Sequence, residues 1–62
     1  MTVDKFYSNY QRDFRIFIMR DNKEVVLYDT TKTDQDIPSF LLDCEIEKVY
    51  PDDINNIDEL EL

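Results

Sequence analysis

Between Val3 and Phe14 the apolar residues Val3, Phe6, Tyr7, Tyr10 and Phe14 recur at steps of three and four, the spacing of one stripe on a short helix. Thr2 stands where it can cap the first turn, although Lys5 occupies the position that Glu takes in a capping box. An extended arm is the alternative for this segment. From Phe14 the period changes to two. FRIFIMR, residues 14–20, and EVVLYD, residues 24–29, are rich in β-branched and aromatic side chains, and Asp21, Asn22 and Lys23 separate them, which predicts a β-hairpin. Asn and Asp tolerate the positive φ of such a turn, so a chain without glycine can still reverse direction there. In the first strand Phe14, Ile16 and Ile18 share one face, and Arg15, Phe17 and Met19 share the other. Apolar stripes are mostly core, so Phe17 and Met19 are expected under the N-terminal helix, with an exposed docking surface as the second option.

DTTKTDQD is a polar connection leading to IPSFLLD, where Asp36 is the expected N-cap, Pro38 falls in the first turn, and Phe40, Leu41 and Leu42 supply an apolar face. One or two helical turns are predicted. CEIEKVY then alternates, with Cys44, Ile46, Lys48 and Tyr50 on one side and Glu45, Glu47 and Val49 on the other. Pro51, Asp52 and Asp53 mark a turn, and IDELEL alternates again, with Leu60 and Leu62 opposite Glu59 and Glu61. A helix through Ile54, Ile57 and Leu60 fits less well, because it would carry one apolar residue per turn and open on Asn55 and Asn56. The elements predict one α+β domain over residues 1–62, ordered α-β-β-α-β-β. Its antiparallel sheet of three to four strands is expected to carry one or two short helices on one face.

Length changes this picture by limiting the core: 62 residues bury only about 60% of the unfolded chain's surface, and a deep pocket is not expected. One cysteine and no histidine exclude an internal disulfide and a Cys/His zinc site, so added stability is expected from self-association, including a homodimer through a sheet edge, or from a partner. Cys44 reads as a small buried hydrophobe in a reducing compartment. No apolar run resembles a signal-peptide core or approaches the roughly 18 residues of a membrane span, which predicts a cytoplasmic location.

The missing residue types also narrow the chemistry. Without histidine there is no Ser-His or Cys-His nucleophile pair, and without glycine no phosphate-cradling loop, so neither an enzyme nor a cofactor is expected. Asp34, Asp36 and Glu45 fall on positions 1, 3 and 12 of a calcium loop, but Pro38 and Ser39 occupy positions 5 and 6, where the sharp turn needs glycine. No metal is expected.

What stands out is the charge. Residues 1–42 hold seven acids and six bases, whereas residues 43–62 hold eight acids and one base, and the chain as a whole carries −8. Such acidity opposes direct contact with nucleic acid or an anionic membrane. Residues two apart on a strand face lie about 6.6–6.8 Å apart, near the separation of successive phosphates on a nucleic-acid strand. Glu45 with Glu47 and Glu59 with Glu61, extended by Asp52, Asp53 and Asp58, would make a phosphate-like carboxylate surface if the last two strands pair as a hairpin; the alternative is a partly flexible acidic tail over residues 43–62, which would still suit a basic groove by charge alone. Two functions are therefore expected. One is charge mimicry, in which the chain inhibits a nucleic-acid-processing protein, in the manner of phage or mobile-element inhibitors, through that protein's basic surface. The other is a generic interaction module, of the antitoxin, adaptor or assembly-factor kind, using exposed Tyr7, Tyr10, Phe17, Met19, Tyr28 and Tyr50.

Overall fold

The computed structural model describes residues 1–9 and 12–62, and Tyr10 lies outside the described residues. Six elements follow in the order α1 (Val3–Ser8), β1 (Asp13–Arg20), β2 (Lys23–Asp29), α2 (Ser39–Leu42), β3 (Lys48–Asp52) and β4 (Ile57–Glu61). The Thr2 hydroxyl accepts from the Lys5 N–H at 3.3 Å and caps α1, as its position suggests. Asp21 and Asn22 join β1 to β2 with φ of 52° and 62°, the two left-handed residues of a type I′ turn.

The sheet order is β2-β1-β4-β3. β1 pairs antiparallel with β2, and β3 pairs antiparallel with β4, but the central β1–β4 pair is parallel. The α+β class and element order match the pattern, while the sheet is mixed instead of wholly antiparallel. The reason is that β4 inserts between β1 and β3 and buries Ile57 and Leu60 at the centre, whereas a simple meander would have left it at an edge.

The core gathers Val3, Phe6, Phe14, Ile16, Ile37, Leu41 and Leu60 on the face that both helices cover. Phe6 meets Phe14 edge-on at 5.9 Å between centroids, which locks α1 over β1. The Val3 N–H donates to the Cys44 carbonyl and the Ile46 N–H to the Met1 carbonyl, stitching the N-terminus to the segment before β3. Cys44 is half-buried there, its Sγ directed at the Phe40 carbonyl.

Four local expectations change. Phe17 and Met19 do not lie under α1; the helices cover the Phe14–Ile16 face, because that face meets Leu60 and the α2 side chains. α2 is a single turn with Pro38 at its N-cap and no capping side chain, so Asp36 does not cap it. β3 begins at Lys48, not Cys44, because residues 44–46 are drawn off to bond Met1, Thr2 and Val3. It also runs through Pro51, which an edge strand tolerates, so the turn falls later, at residues 53–56, with Asn56 at φ 55°.

Candidate functional site

The face away from the helices is built by strand alternation. Arg15, Phe17 and Met19 from β1 point there, with Glu59 and Glu61 from β4 and Lys48 and Tyr50 from β3 beside them in register. β2 adds Glu24 and Val26 opposite Met19 and Phe17. A bulge then changes the phase: Phe17 pairs with Val26 but Ile16 pairs with Tyr28, so Leu27 is the extra residue. Without that residue Arg15 would face Tyr28. With it, Arg15 faces Asp29, and Tyr28 turns into the helix side, where its ring packs 6.2 Å from that of Phe14.

Arg15 consequently ties three strands together. Its Nε donates to Asp29 Oδ2 and its Nη1 to Glu59 Oε1, both at 2.8 Å. Burial works against ionisation of Asp29, yet the hydrogen bonds from Thr31 and Arg15 outweigh it and hold the carboxyl below the usual carboxylate range. The bond to Asp29 raises Arg15 above its ordinary value, against the effect of burial.

Next to this pair lies a shallow concavity of about 300 Å³ lined by Phe17, Met19, Glu24, Tyr50, Glu59 and Glu61. Phe17 forms an apolar floor at 5% exposure, its ring 6.1 Å from Tyr50, while Met19 and Tyr50 remain 50% and 39% exposed. Tyr50 donates its hydroxyl to Glu61 Oε1, and this bond raises the phenol's pKa. The Lys48 ammonium sits 4.9 Å over the Tyr50 ring.

The acidic residues marked in the sequence are not brought together as one surface. Lys48 pairs with Glu61 and Tyr50 with Glu59, so the Glu59–Glu61 row faces a lysine and a tyrosine, and the expected register against Glu45 and Glu47 does not form. Glu45 bridges to Thr2 and accepts from the N-terminal ammonium at 3.0 Å; Glu47 is exposed ahead of β3. Asp58 points to the helix side and is 1% exposed, gripped by Arg12 Nε and Nη2 at 3.1 and 2.7 Å, so it cannot belong to an outer patch. Asp53, exposed, also takes Arg12. Asp52 closes the turn by accepting from Ile54 and Asn55, and the Asn55 side chain in particular lowers its pKa.

Of the aromatic set, Tyr7 is half exposed but rests on Phe14, and Tyr28 is held by its bond to the Gln35 carbonyl, so both belong to the helix side. Phe17, Met19 and Tyr50 do converge. Glu24 and Val26 were missed as site residues, though alternation from Phe17 across the two-residue turn places them opposite. Arg15 had the same signal. Among the described residues no group of three or more carboxylates or thiols is arranged to hold a metal, and no helix is long and apolar enough to cross a membrane. No protein-family model, curated protein or solved structure matches this chain.

Proposed function

We propose that this chain is a small non-catalytic protein-binding module whose docking surface is the open face of the sheet. The observation that carries this reading is the convergence of Phe17, Met19 and Tyr50 with Glu24, Glu59 and Glu61 in one concavity. An apolar floor rimmed by carboxylates favours a partner that inserts an apolar or aromatic side chain beside lysine or arginine. The shape is too shallow to desolvate a reacting carboxylate, and Glu59 is already committed to Arg15.

Charge mimicry toward a nucleic-acid-processing protein is the second reading, and one observation favours it. Glu45 and Asp53 keep three quarters or more of their side chains exposed despite their ion pairs, Glu47 is exposed as well, and the chain carries −8 overall. These groups border the β3 side of the molecule and suit a basic cleft without needing the double row.

Affinity capture from nuclease-treated cell lysate distinguishes the two. The native chain is compared with Met19→Ala/Tyr50→Ala and with Glu45→Lys/Glu47→Lys/Asp53→Lys, all first checked for folding. Loss of the captured protein in the Met19/Tyr50 variant alone supports the open face. Loss in the lysine variant alone, with release by salt and by competing DNA or RNA, replaces that reading with mimicry.

A further inference from the structure

Among the described residues three carboxylates line the concavity on the open face, and no base does. The two bases that the strands direct to that face are engaged outside it. Arg15 is divided between Asp29 and Glu59, and the Lys48 ammonium stands over the Tyr50 ring without entering the lining. Glu59 therefore has its cation already. Glu61 accepts from the neutral Tyr50 hydroxyl and keeps its charge, while the Glu24 carboxylate makes no ion pair among the described residues. Register sets these two charges on opposite sides of β1. Glu24 pairs with Met19 from β2 and Glu61 with Phe17 from β4, so their strands stand two spacings apart, roughly 10 Å. The gap between them is floored by Phe17 and Met19, with the Tyr50 ring leaning over it 6.1 Å from Phe17.

What covers this floor must also answer both carboxylates. An apolar group alone would take Glu24 and Glu61 out of water with nothing to bond, a penalty that offsets the apolar contact. An ammonium is a compact, strongly hydrated point charge and does not lie flat on a ring. A guanidinium is planar and weakly hydrated, stacks on aromatic faces and donates from more than one edge, and its methylene stem supplies the apolar contact as well. We propose that the concavity takes one arginine side chain of a partner protein, with its stem on Met19, its guanidinium against Phe17 and Tyr50, and its N–H groups donating to Glu24 and Glu61. This inference rests on the open-face reading and names the group that the face binds. Lys48 then has a second role: held at the Tyr50 ring, it repels an incoming cation and weakens the contact.

The test is an NMR titration of the isotope-labelled chain with a capped tripeptide that carries arginine between two glycines. Saturable shifts in the millimolar range are expected at Phe17, Met19, Glu24, Tyr50 and Glu61. The lysine counterpart is expected to bind about threefold more weakly or worse, and the uncharged citrulline counterpart about tenfold. Glu24→Gln and Glu61→Gln are each expected to weaken the arginine peptide about threefold, and Lys48→Gln to strengthen it about twofold. The same spectra show whether each variant is folded, and Glu61→Gln keeps an acceptor for Tyr50. No saturation, or equal binding of the citrulline peptide, overturns the proposal. So does indifference to both glutamine variants, and so do shifts of the same residues with the chain's own concentration, which would give the face to a second copy. If the peptide fails while affinity capture still depends on Met19 and Tyr50, arginine alone is overturned; if capture is indifferent to them as well, the open-face reading falls with it.

Discussion

Arg15 and Asp29 meet across β1 and β2 through a 2.8 Å bond from Nε to Oδ2, with Asp29 only 5% exposed. They face one another because one extra residue, Leu27, shifts the phase of β2. Arg15→Ala leaves that carboxylate buried with Thr31 as its remaining donor among the described residues, and is expected to destabilise the fold by about 3 kcal/mol. Urea denaturation measures it; a loss below ~1 kcal/mol would mean that water replaces the guanidinium freely.

The same carboxyl makes the fold sensitive to acid. Asp29 titrates below its unfolded value of about 3.9, so its stabilising contribution is complete above that pH and is lost as pH falls through the lower folded value. Native stability is expected to fall as the pH drops below about 5, and Asp29→Asn to flatten part of that slope. Parallel slopes for the two proteins would remove Asp29 as a source of the acid sensitivity.

Arg12 grips Asp58 with two nitrogens, and a lysine cannot reproduce that fork. Arg12→Lys is expected to cost about 1–2 kcal/mol, lowering the melting temperature by roughly 4–16 °C in a domain of this size. An unchanged melting temperature would show that the second nitrogen adds nothing.

The reversal at Asp21 and Asn22 holds two residues other than glycine at positive φ. Asn22→Gly removes the steric cost at the second of them and is expected to stabilise by about 0.5 kcal/mol. Thermal melting checks the sign, and a clear drop would mean that the Asn22 side chain contributes more than its backbone costs.

What was legible in the sequence was local. Thr2 before an aromatic stripe, Asp21–Asn22 between β-rich runs and the alternation of IDELEL all specify structure within a few residues, and the structure contains each of them. The open face was half legible: alternation grouped Arg15 with Phe17 and Met19, but period two labels two faces without saying which one a helix covers. The acidic surface was the least legible. Asp58 looks like its neighbours until Arg12, 46 residues away, removes it from solvent, and the register of β4 sets a lysine and a tyrosine opposite Glu59 and Glu61.

By itself the sequence determined the element types, their order and the concentration of negative charge after residue 42. Only the tertiary structure decided that β4 lies parallel to β1 at the centre, that the bulge hands Asp29 to Arg15, and that Phe17 floors an open concavity. The physical reason is that propensity and periodicity act between near neighbours, whereas strand order, face coverage and ion pairing are fixed by how distant segments bury their apolar area together.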